Sequence, residues 1–233
     1  MKLELGYKSS IEVRHEHYRC KVEEAFSMLY ISDFHFTAYS GDMVQRLVEK
    51  IEELNPDILL LGGDYYDSST GFYHLCKFMK AISHRRNVFA IAGNHDYFFG
   101  IAKTKEVIRE NNAYWLEEDS FSLQVNNTII HIDGNKPQRA KRADINILCL
   151  HKPIDLEGYY DHYNVVFAGH LHGSQVVLWQ TSKGLYPGRL FYKWNMLKKS
   201  VGDCLYLISK GIGDTLPIRY NCKKDIILVN VSS

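Results

Sequence analysis

Residues 57–64, D-I-L-L-L-G-G-D, decide the fold, because an apolar run stops there at two glycines and an aspartate. Four consecutive apolar residues predict a strand that is buried on both faces, as in a parallel sheet. The preceding segment, 44–54, carries apolar side chains three and four residues apart, and Pro56 follows it. That spacing predicts an amphipathic helix that ends before the proline.

The same pattern of a strand followed by polar residues occurs on both sides of this stretch. The apolar runs 26–32 and 88–92 end in D-F-H (33–35) and G-N-H-D (93–96). Further helices are predicted over 71–84 and 101–111. Alternating strands and helices predict a parallel or mixed sheet with helices packed on it.

After Asn112 the pattern changes to strands with little helical periodicity between them. The predicted strands span 121–125, 128–133, 145–150, 164–168, 174–179, 203–209 and 225–230. They predict a second, mostly β layer packed on the first. Because no repeat, low-complexity tract or linker divides the chain, we expect a single domain over 1–233.

The composition excludes several classes of protein. With 45% hydrophobic and 24% charged residues the chain is globular rather than disordered. The formal charge of +1 gives no bulk attraction to nucleic acid, so no specific nucleic-acid partner is expected. Five dispersed cysteines without a C-x-x-C pair predict reduced thiols, and the first ten residues lack a signal-peptide pattern. A cytoplasmic protein is expected, unless an N-terminal segment is missing from this sequence.

Five predicted strands end in Asp, His or Asn, and in open α/β sheets ligands bind at such strand ends. Asp and His two residues apart are expected to point to the same side of an extended loop. Oxygen ligands mixed with imidazoles suit Mn²⁺, Fe or Zn²⁺ better than Mg²⁺ or Ca²⁺. The candidates outnumber the ligands of one tetrahedral ion, so two ions are predicted. Each motif alone is also compatible with a surface turn.

The ordered set D-x-H, G-D-x-x-D, G-N-H-D, H and G-H-x-H, over about 32–175, resembles the signature of the calcineurin-like binuclear metallophosphoesterases. The segment G-H-L-H-G-S-Q at 169–175 is similar to the last motif of the short bacterial phosphodiesterase branch, which includes membrane-associated enzymes. This resemblance implies a four-layer α/β/β/α sandwich of two mixed sheets. It also implies two divalent or trivalent metal ions, with Mn²⁺ favoured and Fe or Zn²⁺ as alternatives.

The resemblance further implies a role for each residue of the motifs. The implied metal ligands are Asp33, His35 and His172 for one ion, Asn94, His151 and His170 for the other, and Asp64 as the bridge between them. His95 would face the substrate, and Asp67 would hydrogen-bond and orient it. A metal-bridging hydroxide is the expected nucleophile, and protonated His95 is the expected general acid for the leaving alkoxide.

The predicted function is metal-dependent hydrolysis of a phosphate ester, with a small-molecule, lipid or nucleotide diester as the expected substrate. One alternative is a pyrophosphatase that acts on a nucleotide-sugar lipid of the UDP-diacylglucosamine type, and cyclic-nucleotide hydrolysis is a further one. The alternative from another class is a non-catalytic metal-binding scaffold. In a non-catalytic scaffold we expect some metal ligands or His95 to be replaced by other residues, and this sequence has neither change.

Two basic stretches lie outside the motifs. Residues 186–199 mix four aromatic side chains with arginine and lysines. Such a mixture is typical of an interface with a lipid or nucleotide, so peripheral membrane contact at the metal site is expected; a plain strand edge is the alternative. The second stretch is a loop that would bind a second phosphate or simply be solvated. Its basic residues are Lys136, Arg139, Lys141 and Arg142.

Overall fold

The computed structural model describes residues 3–5, 10–117, 119–138 and 143–233. The helices are α1 (Gly41–Leu54), α2 (Ser69–Ile82), α3 (Asn94–Phe99) and α4 (Ile101–Glu110). The strands are β1 (Leu3–Leu5), β2 (Ile11–Arg19), β3 (Phe26–Ile31), β4 (Ile58–Leu61), β5 (Val88–Ala90), β6 (Tyr114–Trp115), β7 (Ser120–Val125), β8 (Thr128–Gly134), β9 (Ile145–Cys149), β10 (Val165–Ala168), β11 (Val177–Thr181), β12 (Gly184–Pro187), β13 (Lys198–Val201), β14 (Cys204–Ile208), β15 (Ile218–Tyr220) and β16 (Lys224–Ser232).

The first sheet has six strands in the order β2-β16-β3-β4-β5-β6. Strands β3 to β6 are parallel, as the alternating pattern predicts, and β16 joins β3 antiparallel and β2 parallel. The expectation that 225–230 belongs to the second layer is therefore wrong. All nine residues of β16 pair with β2, and its long apolar run suits an inner strand that is covered on both faces.

The second sheet has the order β13-β14-β10-β9-β8-β7, with parallel pairs in the centre and an antiparallel pair at each edge. Two smaller pairs, β1-β15 and β11-β12, complete the described strands. The prediction of an α/β fold with two mixed sheets is confirmed. None of the helices in the described part of the chain is both long and apolar enough to cross a membrane.

The side chains of β3 explain why its sequence is continuously apolar. Met28 and Tyr30 pack between the two sheets, whereas Leu29 and Ile31 pack between the first sheet and its helices. Since strand side chains alternate, a strand between two cores must be apolar at every position. The outer face of the second sheet is covered by loops and one short 3₁₀ turn, Tyr160–His162, rather than by an α-helix in the described residues.

The loops at the strand ends do not have the extended conformation that the sequence predicts. Asp33, His35, His170 and His172 all have positive φ angles, between 42° and 72°. The chain turns sharply after each strand, and Asp and His are among the non-glycine residues that enter the left-handed region most readily. The G-N-H-D motif is not a simple turn either, because Asn94 begins helix α3.

Candidate metal centre

The carboxyl ends of five strands, β3, β4 and β5 of the first sheet and β9 and β10 of the second, meet at one edge of the sandwich. The two sheets therefore contribute side chains to a common cluster. The structure brings together all nine residues that the motifs single out: Asp33, His35, Asp64, Asp67, Asn94, His95, His151, His170 and His172.

One half of the cluster contains Asp33, His35 and His172, all buried. Their candidate ligand atoms lie within 4.8 Å of one another. Nε2 of His172 is 3.7 Å from Oδ1 of Asp33, and the rings of His35 and His172 have centroids 5.0 Å apart. One carboxylate with two imidazoles is a donor set that suits a transition-metal ion.

The other half is arranged around Nε2 of His151. This nitrogen lies 3.0 Å from Oδ1 of Asn94, 3.2 Å from Nδ1 of His170 and 3.3 Å from Oδ2 of Asp64. The same Asp64 oxygen is 3.5 Å from Nε2 of His35 in the first half. Asp64 therefore stands between the two groups, where a carboxylate that bridges two ions has to be.

The hydrogen bonds of the imidazoles leave lone pairs directed into the cluster. Nδ1 of His151 lies 2.9 Å from the carbonyl oxygen of Gly62, and Nδ1 of His35 lies 2.9 Å from Asp67. In the neutral form of each ring, with Nδ1–H donating to these oxygens, Nε2 carries the lone pair, which is the usual arrangement of a metal-ligating histidine. Nε2 of His35 is buried without a hydrogen-bond partner in the described structure. A cation fits this site.

The carboxylates make the cluster strongly attractive to cations. Burial opposes the protonation of His151, but the neighbouring Asp64 carboxylate outweighs it and raises the pKa of His151 to about 9. Burial also opposes the ionisation of Asp64, yet His151 and His35 hold its pKa well below the usual value. Burial lowers the pKa of His172 to about 4, so this imidazole is neutral at pH 7 and ready to coordinate.

His95 lies at the open side of the cluster. Its Nδ1 is 2.7 Å from Oδ1 of Asp67, and 37% of its side chain is exposed. Its backbone N–H donates to Oδ1 of Asp64 at 2.8 Å. With Nδ1–H donating to Asp67, Nε2 of His95 is the nitrogen that can exchange a proton with a substrate.

Two residues that the sequence reasoning gave no role connect the loops of the centre. Asp96, fully buried, accepts the backbone N–H groups of Gly93 and Asp64 at 2.7 and 2.8 Å. Asn135 accepts the N–H of His151 at 2.9 Å and donates to the carbonyl of Ala92 at 2.8 Å. Asp96 belongs to the G-N-H-D motif, and Asn135 follows a glycine at the end of a strand. Both positions could therefore have been recognised in the sequence as parts of the site.

Arg219 is a third such residue, and nothing in its sequence context marks it. Its side chain is 1% exposed and donates to the carbonyl oxygens of Lys210, Gly211 and Gly213 at 3.0, 3.3 and 2.6 Å. These residues form the loop 210–214, whose Gly213 N–H donates to the carbonyl oxygen of Asp33. Arg219 therefore shapes the loop that packs against the first metal-ligand loop.

The aromatic and basic stretch 186–199 begins beside the last motif. A side chain on Gly188 would collide with Ser174, two residues after His172. Exposed apolar side chains follow at Leu190, Phe191 and Tyr192. Of the predicted basic loop, Lys136 is described, whereas Arg139, Lys141 and Arg142 lie outside the described residues.

Comparisons with known proteins agree with this geometry. The family model described as calcineurin-like phosphoesterase matches residues 26–174. The chain is 24% identical to the uncharacterized metallophosphoesterase YkoQ of Bacillus subtilis (strain 168), over 81% of this chain and 77% of YkoQ. It is 22% identical to the phosphodiesterase YaeI of Escherichia coli (strain K12), over 88% of this chain and 82% of YaeI.

A solved structure has a similar fold. The NAD nucleotidase NadN of Haemophilus influenzae gives a TM-score of 0.52 at 11% identity. The match covers 82% of this chain and 51% of NadN, so the chain spans about half of that protein. At this identity the likeness concerns the fold alone.

Proposed function

The chain belongs to the calcineurin-like phosphoesterase family and is a metal-dependent phosphoester hydrolase; from that premise we propose that it cleaves phosphodiesters. The observation that carries the proposal is the pairing of a seven-residue ligand cluster centred on Asp64 with the His95–Asp67 couple at its open side. A diester needs a proton for its leaving alkoxide, and His95 is placed to give one.

In this proposal the residues bind two metal ions, most favourably Mn²⁺. Asp33, His35 and His172 would hold one ion and Asn94, His151 and His170 the other, with Asp64 shared; the mixed oxygen and nitrogen donors support this assignment. When bound, such ions would polarise the phosphate as Lewis acids and lower the pKa of a coordinated water.

The protein's own contribution is a positioned acid. Asp67 accepts the Nδ1–H of His95, which fixes the orientation of the ring. Nε2–H of His95 then donates its proton to the ester oxygen that leaves. Asp64 itself is buried, together with the candidate ligands Asp33, His35, His151 and His172.

A lipid diester, reached by peripheral contact with a membrane, is the substrate that the surface favours. Exposed apolar residues lie in two segments next to motif residues: Tyr97 and Phe98 are in helix α3 with His95, and Leu190, Phe191 and Tyr192 follow Gly188, which packs against Ser174. Exposed apolar groups of this kind mark interaction surfaces. The five free cysteines support a reducing, cytoplasmic compartment.

The test compares hydrolysis of bis-p-nitrophenyl phosphate with that of p-nitrophenyl phosphate, in Mn²⁺ and in chelator. We expect turnover that requires metal and favours the diester. Asp64→Asn should lower kcat by about a hundredfold or more, because it removes the shared ligand. Asp57→Asn is the matched control, since Asp57 lies exposed at the opposite end of the same strand, β4.

Two results would contradict the proposal. Preference for the monoester would remove the diesterase assignment. No turnover of either ester with two metals bound would favour the nucleotide-sugar lipid pyrophosphatase or the scaffold. Hydrolysis of such a lipid, or failure to hydrolyse it, would then separate these two.

A further inference from the structure

The carboxylate of Glu117 makes three polar contacts beside the metal centre. Its Oε1 accepts the hydroxyl of Tyr97 and lies 3.5 Å from Nδ2 of Asn135. Its Oε2 accepts the backbone N–H of Ala92 at 3.1 Å. Glu117 follows β6 and is partly buried. None of the roles assigned above uses this residue, although each of its three partners contacts or belongs to a segment that carries a proposed metal ligand.

The first partner, Tyr97, belongs to helix α3, which begins at the proposed ligand Asn94. Asp96 anchors the start of this helix from its buried side. The side chain of Tyr97 lies on the other, solvent-facing side, and its hydroxyl attaches the helix to Glu117. Because a helix of six residues has little stability of its own, such side-chain contacts decide its orientation. Glu117 therefore helps to set the direction of the Asn94 side chain.

The second partner, Asn135, holds the neighbouring ligand. Its Oδ1 accepts the backbone N–H of His151 at 2.9 Å, and its Nδ2 donates to the carbonyl oxygen of Ala92 at 2.8 Å. His151 follows β9 of the second sheet, whereas Ala92 and Asn94 follow β5 of the first sheet. Glu117 therefore connects the ends of the two sheets at the point where Nε2 of His151 and Oδ1 of Asn94 lie 3.0 Å apart.

The first half of the cluster has supports of its own. Nδ1 of His35 lies 2.9 Å from Asp67, and the carbonyl oxygen of Asp33 accepts the N–H of Gly213 in the loop that Arg219 shapes. Loss of the contacts of Glu117 should therefore leave this half in place.

Resting on the two-metal assignment of the proposed function, we propose that Glu117 is a positioning residue for the second half of the centre. Through Tyr97 and Asn135 it sets the separation of Asn94 and His151, and it thereby determines how tightly this half binds its ion. Residues that orient metal ligands act in this way, because a ligand already held in place loses less freedom when the ion binds.

Tyr97→Phe tests the proposal, since it removes one hydroxyl group and no charge. Titration calorimetry with Mn²⁺ should show two binding events. We expect the affinity of one to fall by about fivefold, the effect of one hydrogen bond, while the other stays unchanged. Asn94→Ala, which removes a proposed ligand of the second half, identifies the event that belongs to it. Tyr73→Phe, on an exposed tyrosine of α2, is the matched control and should bind Mn²⁺ like the unmodified protein.

Electron paramagnetic resonance separates positioning from a merely structural role. At two equivalents of Mn²⁺ the unmodified protein should give the spectrum of a coupled pair of ions, and Tyr97→Phe should increase the share of isolated Mn²⁺. A merely structural role would lower the free energy of unfolding in chelator without changing the ratio of the two Mn²⁺ affinities.

Glu117→Gln provides the second variant. It replaces one acceptor oxygen by an N–H donor and should weaken the same binding event by about tenfold or more, the usual effect of losing support for a ligand. Adding Tyr97→Phe to it should cause no further loss, because the two side chains act through one hydrogen bond. Glu110→Gln removes the same charge from an exposed residue of α4 and is the control.

The outcomes separate this inference from the proposed function. If Tyr97→Phe changes neither binding event, or changes both equally, the role of Glu117 is overturned and the proposed function stands. Additive losses in the double variant overturn that role as well. Binding of fewer than two Mn²⁺ ions by the unmodified protein overturns the two-metal assignment, and this inference with it.

Discussion

Asp67 hydrogen-bonds two histidines, His95 and His35. Its Oδ1 lies 2.7 Å from Nδ1 of His95 and 3.1 Å from Nδ1 of His35. The proposed general acid and a proposed metal ligand are thus oriented by the same carboxylate. Substitution of His95 should remove only the acid, whereas substitution of Asp67 should disturb both.

The first prediction at this scale concerns His95→Gln. We expect kcat for a dialkyl phosphate to fall by about a hundredfold or more, because its alkoxide needs a proton to leave. The kcat for bis-p-nitrophenyl phosphate should fall far less, since nitrophenolate leaves without protonation. His84→Gln is the control, because His84 is exposed and remote from the centre. Equal losses on the two substrates would exclude the general-acid role.

The second prediction concerns Asp67→Asn. It should reduce turnover of the dialkyl phosphate as His95→Gln does, and also weaken Mn²⁺ binding by roughly tenfold or more, the usual effect of losing the partner of a ligating histidine. Titration calorimetry with Mn²⁺ measures the second effect. Unchanged Mn²⁺ affinity would show that His35 does not depend on Asp67.

At the scale of elements, the loop 210–214 joins the second sheet to the metal centre. It follows β14, and Arg219, in β15, binds three of its carbonyl groups. A side chain on Gly211 would collide with the side chain of Asp33, so the loop lies against that candidate ligand. The conformation of the loop that carries Asp33 therefore depends on a strand far along the chain.

Arg219→Met tests this dependence. The variant leaves buried carbonyl groups without a donor, so we expect the free energy of unfolding to fall by about 3 kcal/mol. Urea denaturation in chelator measures this loss, and the Mn²⁺ affinity of the folded variant should also decrease. Arg109→Met, on an exposed arginine of α4, is the control. Equal stability of the two variants would contradict the structural role of Arg219.

At the scale of the whole molecule, metal binding should link stability to pH. The pKa of His151 is raised to about 9, above its ordinary value of 6.5. In chelator, this group stabilises the fold fully below about pH 6.5, and its contribution is lost as the pH rises through about 9. Mn²⁺ binds the neutral imidazole, so the affinity of the site for Mn²⁺ increases as the pH rises.

We therefore expect the increase in Tm that Mn²⁺ causes to grow between pH 6.5 and 8.5. Thermal unfolding in Mn²⁺ and in chelator, at several pH values, measures it, since at a fixed concentration a ligand that binds the folded state more tightly raises Tm further. His162→Gln, on a histidine outside the cluster, should preserve the trend. A Tm increase that stays constant or shrinks with pH would contradict the assignment of His151 as a ligand.

The amino-acid sequence by itself determined the alternation of strands and helices in the first half, the β character of the second half and the identity of the polar residues at strand ends. These features can be recognised in the sequence because they depend on the periodicity of apolar residues and on the residues at the ends of each strand, which are close together along the chain. The runs F-S-M-L-Y-I and I-L-L-L could be assigned to doubly covered strands because such strands have no polar face.

Only the tertiary structure decided where β16 pairs, how the strand-end loops turn and what supports them. Pairing of β16 with β2 joins residues more than 200 positions apart, and no local pattern specifies such a partner. The positive φ angles of Asp33 and His170 suit their residue types, but the packing of the strand-end loops selects them. Arg219 has its role because loop 210–214 folds over it and presents three carbonyl groups to its side chain.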